Sequence, residues 1–425
     1  MARILFLSDF AQGHLLPTFG VARGLQRRGH HVGYAVIPDL APVVERRGFQ
    51  ALCILEEVYP SGTLERLKKE NVEDRLTAHL DPLIDGTLDP VVEAWCPDLI
   101  IVSYFLSLEA AILETRYGVP IAIFTFNLRS PGLPPAELAL EQLVEQDTVG
   151  FRLLELAVSK GRVVRKMRQL VEPLEHCTEL LCCPPEFEVE EVDRGPRVRY
   201  IEPSIRQEET WVSSARNPSP VLEDLGASED LIYASLGSAV ETHREIGQRF
   251  YKAFFELAAS LPLHFILSLG SGYELDRLGT IPDNVKAYEW VPQMEVLERS
   301  RAAITHGGLG TVKECIWHGV PMVVLPAGRD QPLNAERVEH HGLGRALDPT
   351  QLTPDTLSEA LNHVLESPEV DRKITAMREL FRRREAEEIG ADTVEEILAS
   401  ASGGRYPEMA PFRRDNPNPA LRSQP

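Results

Sequence analysis

The chain is 425 residues long and carries 44 Lys and Arg against 64 Asp and Glu, a formal net charge of −20. That length excludes one small domain and suits two or three, and the charge opposes a phosphate backbone or an anionic membrane face, so nucleic acid is not an expected partner. Hydrophobic residues at 43% and charged residues at 25% are typical of a soluble globular protein that can bury a sizeable core.

The first segment, RILFLS, reads as a strand that ends in SDFAQGHLLP; it lacks a small-residue cleavage site and is not expected to be a secretion signal. LPTFGVARGLQRR is helical in period, HVGYAVI is a second strand, and a second helix ends near Gly48. An amphipathic stretch from about Asn71 to Trp95, the strand DLIIVS, a helix from about Leu108 to Tyr117 and the strand PIAIFTF continue the alternation. Strand and helix in turn predict βαβ units on a parallel sheet.

The segment from Glu202 to Pro220 is polar, Ser- and Pro-rich and without period, as expected of a linker. A second alternation follows: LIYASLG, a helix through RFYKAFFELAAS, LHFILSL, VKAYEWV, RAAITH, a helix from about Leu309, PMVVLP and a helix after Asp330. The reading is therefore α/β, two doubly wound sheets. Residues 1–203 form the first domain, 204–220 the linker, 221–380 the second domain, 381–400 a last helix, and 401–425 a disordered tail.

No uncharged apolar run approaches the roughly 18 residues of a membrane span; LIIVSYFLSL and VPIAIFTFNL are strand-sized. The six cysteines (Cys53, Cys96, Cys177, Cys182, Cys183, Cys315) show neither a disulfide framework nor zinc spacing, so a reducing cytoplasm is the expected setting.

In open parallel sheets ligands bind beyond the carboxyl ends of the strands, so the loops there carry the chemistry. The densest such region runs from Trp290 to Val338. His306 closes the strand AAIT, and Gly307, Gly308 and Gly310 lead into a helix bearing Thr311 and Glu314. Glycines permit close backbone approach, and the N–H groups and dipole of a helix start favour an anion, so a diphosphate fits, with His306 and Thr311 as further donors. Thr311 and Glu314 are three residues apart on one helix face, which places a carboxylate a turn below, suited to the vicinal hydroxyls of a ribose. Trp290 can stack on a base with Gln293 bonding nearby, and Asp330 and Gln331 can bond sugar hydroxyls. Each also has a plain structural reading: a tight turn for His-Gly-Gly, a solvated helix charge for Glu314, a core position for Trp290, and a helix cap for Asp330.

The order W-x-P-Q, H-G-G-x-G-T-x-x-E, G-V-P-M, D-Q-x-x-N-A resembles the donor signature of the UDP-dependent glycosyltransferases of the GT-B fold. The resemblance implies two facing Rossmann-like domains and a C-terminal helix crossing back to the first. It implies that Trp290 stacks on uracil, with Val291 beside it also counted among the donor-binding residues. Gln293 and Glu314 would hold the ribose, and His306, Gly308, Gly310 and Thr311 the diphosphate. Asp330 and Gln331 would hold the donor sugar, and Ser238, in SLGS, would approach the phosphates. It implies no metal and no cofactor beyond the UDP-sugar co-substrate, and a monomer or homodimer.

His14 opens the helix after the first strand and is a candidate general base, although such a His can be structural. It resembles the family's GHxxP element, whose His deprotonates the acceptor hydroxyl. In that family an Asp after the fourth strand commonly pairs with this His; here the position is Ser103. Asp98 is about 16 Å down an extended strand, too far, which leaves Ser103 and Asp9 as rival partners. The first-domain loops, FTFNLRSPGLPP among them, suit an apolar acceptor, whereas Arg129 and Arg329 would suit an acidic acceptor or a charged sugar. The expected activity is inverting transfer of a sugar, glucose first, from UDP to a small lipophilic acceptor. The alternatives are a dTDP-deoxysugar donor and a non-catalytic sugar-nucleotide-binding helper. A dehydrogenase is disfavoured, because SDFAQGHLLP is not GxGxxG.

Overall fold

A computed structural model describes residues 1–10, 12–70, 78–128, 133–190, 193–205, 230–237, 244–270 and 278–402. Ser238, Arg129, most of the linker and the tail from 403 lie outside the described residues.

The first sheet has seven parallel strands, β1 (Arg3–Leu7), β2 (His31–Val36), β3 (Gln50–Cys53), β4 (Leu99–Ser103), β5 (Ile121–Thr125), β6 (Thr178–Leu181) and β7 (Val198–Tyr200). Their spatial order is β3-β2-β1-β4-β5-β6-β7. The second sheet has six, β8 (Leu231–Ser235), β9 (His264–Ser268), β10 (Val285–Tyr288), β11 (Ser300–Thr305), β12 (Met322–Val324) and β13 (Gly344–Ala346), ordered β10-β9-β8-β11-β12-β13. The central strands are near-continuous apolar runs because helices cover both faces: every residue of β4, β5 and β8 is buried. In both sheets the strand order thus reverses, between β1 and β4 and between β8 and β11, and a doubly wound sheet opens a ligand crevice at such a switch.

Two expectations change in detail. The amphipathic stretch up to Trp95 is, within the described residues, two short helices, Leu80–Asp85 and Asp89–Trp95. Gly86 separates them at φ 95°, a left-handed conformation that ends a helix, and Pro90 starts the next. His14 does not open the long helix but sits in a single turn, Gln12–Leu15; Pro17 then precedes the helix Thr18–Arg27.

The two halves share packing. Leu181, Cys183, Phe187 and Ile205 lie in one apolar cluster with Val291, Leu309 and Phe381. Within that seam Glu188 accepts from Arg194 Nη2 and Arg337 Nη2, each at 2.5 Å, all three side chains being at most 6% exposed. Burial alone would raise the Glu188 pKa, but the bonds from Arg337 and Arg194 hold it below the usual range. The last helix, Ile389–Ser402, returns to the first half, where Glu388 pairs with Arg27, and Asp392 and Glu395 pair with Arg28. Glu202 accepts from the Gly390 N–H at 2.7 Å, satisfying a donor at that helix start. Among the described residues no helix is long and apolar enough to cross a membrane.

Candidate active site

Predicted site residues lie at the carboxyl ends of β1 and β4, which flank the first reversal, and of β11, β12 and the edge strand β10 in the second sheet. Leu7 of β1 pairs in register with Val102 of β4, so Asp9 and Ser103 leave adjacent strands together. Asp9 Oδ2 lies 2.6 Å from His14 Nδ1, and Ser103 Oγ donates to the same oxygen at 3.1 Å. The two residues read as rivals therefore act in series: Asp9 is the partner of His14, and Ser103 holds Asp9. With Nδ1–H on the carboxylate, the Nε2 lone pair is left to accept a proton. The imidazole also lies on Phe126, ring centroids 4.0 Å apart at 21°, and against Phe105 at 5.2 Å. Phe126 lies in the loop FTFNLRSPGLPP already read as suiting an apolar acceptor, whereas Phe105 was not legible as a site residue; its only sequence signal is a position just after a strand end.

In the second half, the helix Leu309–His318 begins at Gly308 directly after β11. His306 is packed between glycines: a Cβ on Gly237 would fall 2.5 Å from its ring and one on Gly308 2.6 Å. Burial, partly offset by the Asp330 charge, lowers the His306 pKa to about 4, so the ring is neutral near pH 7 and can still donate one N–H to a phosphate oxygen. By contrast, a Cβ on Gly310 would meet nothing within 4 Å, so the protein's own packing does not require a glycine there. The open space at the helix start is where an anion would approach the backbone.

Gln293 ties the remaining donor-side groups together. Its amide donates to Glu314 Oε2 and, at 3.3 Å, to Thr311 Oγ1, while its carbonyl accepts from Tyr233 Oη at 2.6 Å. Burial raises the Glu314 carboxyl to about 7, and the Gln293 bond partly offsets this. Tyr233, in the middle of β8, is a member of this network that sequence reasoning missed. Trp290 keeps 38% of its surface exposed, whereas its neighbour Val291 is buried at 2% and anchors the segment in the core. Asp330 makes no capping bond to its helix; its Oδ2 accepts from Asn334 Nδ2 at 2.9 Å, and Asn334 also donates to the Gly307 carbonyl at 2.9 Å. Asn334 thus links the sugar-side loop to the glycine turn, and its spacing four residues after Asp330 was the available signal. Gln331 is 7% exposed and its carbonyl accepts from the Ala327 and Gly328 amides, so it shapes the loop and leaves only its NH2 group for a ligand. Between them Arg329 is exposed at φ 57°, left-handed backbone that a non-glycine residue adopts at some cost. Among the described residues no three His, Cys, Asp or Glu side chains are grouped to hold a metal ion.

Residues 257–395 match the family model described as the erythromycin biosynthesis protein CIII-like, C-terminal domain. Over 92% of its length the chain is 25% identical to an NDP-glycosyltransferase of Bacillus licheniformis, covering 96% of that protein. It is 27% identical to the demethyllactenocin mycarosyltransferase of Streptomyces fradiae, over 95% of this chain and 88% of that one. Among solved structures, the glycotransferase of kitacinnamycin superposes with TM-score 0.71 at 27% identity, over 93% of this chain and 99% of that one. The calicheamicin glycosyltransferase CalG4 shares the fold at 22% identity and TM-score 0.68. The fold and the site thus define a glycosyltransferase of the GT-B class. Within it, the chain is similar to natural-product glycosyltransferases, the mycarosyltransferase among them, and residues 257–395 carry the EryCIII-like domain.

Proposed function

We propose that the chain transfers glucose from UDP to a hydroxyl of a small lipophilic natural product, with inversion at the anomeric carbon and without a metal ion. The observation that carries this reading is the His14–Asp9 pair at 2.6 Å, a base held in one tautomer by a carboxylate. His14 Nε2 takes the acceptor hydroxyl proton as that oxygen forms its bond to the anomeric carbon. The bond from that carbon to the diphosphate breaks on the opposite face, and UDP leaves with the charge. Donors at the start of the helix Leu309–His318, with neutral His306, suit that charge, which is the support for a metal-free step. The Gln293–Glu314 pair suits a ribose, with the carboxylate accepting from sugar hydroxyls and Trp290 stacking on the base. Exposed Phe105 beside His14 suits an apolar acceptor.

A second donor reading is a dTDP-deoxysugar. A mycarosyltransferase is among the relatives, and the glycosyltransferase VinC, alike in fold, was solved with dTDP. Calorimetric titration with UDP and dTDP in EDTA separates the two. Tighter UDP binding, with hexose transfer detected by mass spectrometry in EDTA, is the expected result. Tighter dTDP binding transfers the proposal to deoxysugars, and activity that returns only with magnesium overturns the metal-free step. Nucleotide binding without turnover on any acceptor would leave a sugar-nucleotide-binding helper.

A further inference from the structure

Resting on the reading of His14 as the base, we propose that Phe105 and Phe126 form an aromatic clamp that fixes the His14 ring and stabilises its protonated state, making both of them positioning residues for the transfer step. β4 and β5 are adjacent, with Ser103 paired to Phe124, so the segments leaving them deliver one phenyl ring each to the same imidazole. Phe126 lies nearly parallel to it at 4.0 Å and 21°, and Phe105 at 5.2 Å and 30°. The two phenyl rings also touch one another, with centroids 5.6 Å apart. Three rings in mutual contact leave the imidazole little freedom to rotate about its bond to Cβ.

The clamp also acts on charge. When Nε2 takes the acceptor proton, Nδ1–H remains on Asp9 and the positive charge spreads over a ring whose face rests on Phe126. A phenyl face is negative, and it attracts a cation where it attracts a neutral imidazole only by dispersion. Among the described residues the ionisable group bonded to the imidazole is Asp9, from the loop after β1. Ser103, at the end of β4, bonds that same carboxylate oxygen and draws on its charge, while Phe105 and Phe126 are neutral. The aromatic faces therefore supplement a carboxylate that is already shared.

The test is the titration of the His14 ring, followed by NMR in the whole protein, for the wild type and for Phe126→Leu, Phe105→Leu and Phe126→Tyr. Leucine keeps apolar bulk against the ring and removes the π face; tyrosine restores the face. Phe126→Leu is expected to lower the His14 pKa by about half a unit, and Phe105→Leu by less, with Phe126→Tyr returning to the wild-type value. The acidic limb of the kcat/KM profile should move the same way, to lower pH, with kcat reduced. A His14 pKa unchanged or raised in the leucine variants overturns the clamp. Phe126 is 8% exposed and Phe105 42%, so if Phe126→Leu does not fold, Phe105→Leu decides alone. Failure of the base reading shows separately, as full activity in His14→Ala, because the titration is read without turnover.

Discussion

Replacing His306 by glutamine removes a titrating ring from the donor turn and should change how stability depends on pH. In the folded chain burial holds the His306 pKa at about 4, against 6.5 for a free histidine. Between those values the unfolded chain binds a proton that the folded chain does not, so stability falls as pH falls from 6.5 towards 4. At about 1.36 kcal/mol per pH unit, the fall to pH 5 would cost roughly 2 kcal/mol for a fully enclosed ring. His306 is only half-buried, so about 1–2 kcal/mol is the expected size. Glu202 and Glu314, both raised to about 7 chiefly by burial, titrate with the opposite sign, but they are present in both proteins and cancel in the comparison. The assay is denaturant unfolding of wild type and His306→Gln at pH 7.5 and pH 5. The wild type should lose about 1–2 kcal/mol more than the variant on acidification. Equal losses would mean that His306 is not held neutral, and the same argument for a neutral donor to the diphosphate would fall.

Other sites give sharper contrasts between fold and function. His14→Ala should abolish transfer and leave nucleotide affinity within about twofold, as read by calorimetry beside a turnover assay; a parallel loss of binding would remove His14 from the acceptor side. Glu314→Ala should weaken donor binding by about 1–3 kcal/mol, roughly 5- to 150-fold, the cost of leaving buried polar partners unpaired, and an unchanged dissociation constant would take Glu314 out of the donor site. Gly310→Ala should fold as well as wild type, since its Cβ meets no protein atom, yet bind nucleotide more weakly; unaltered affinity would show that no ligand approaches that turn. Arg337→Met leaves Glu188 half-paired in the buried seam and should cost about 3 kcal/mol in unfolding experiments, whereas a loss under about 1 kcal/mol would show that Arg194 and Tyr200 suffice.

The donor half of the site was legible because its parts are close in the chain. His306, the glycines, Thr311 and Glu314 fall within nine residues, so strand end, turn and helix period fix their relation without knowledge of the rest of the fold. The alternation of apolar runs and helical periods likewise reveals two parallel sheets, because burial on both faces and helical crossovers are written into local composition. Short edge strands such as β7 and β13, three residues each, carry too little pattern to be singled out.

What only the tertiary structure decided are relations between distant segments. Whether Asp9 or Ser103 serves His14 depends on β1 lying beside β4, 94 residues apart in the hydrogen bond that joins them. The phenyl rings on that histidine come from the ends of β4 and a further strand, β5, and Arg337 meets Glu188 across 149 residues. Sequence spacing sets geometry only where backbone dihedrals connect the groups in a few regular steps. Beyond that, strand order and packing choose the partners, and here they turned two rival residues into one chain of hydrogen bonds ending on a base.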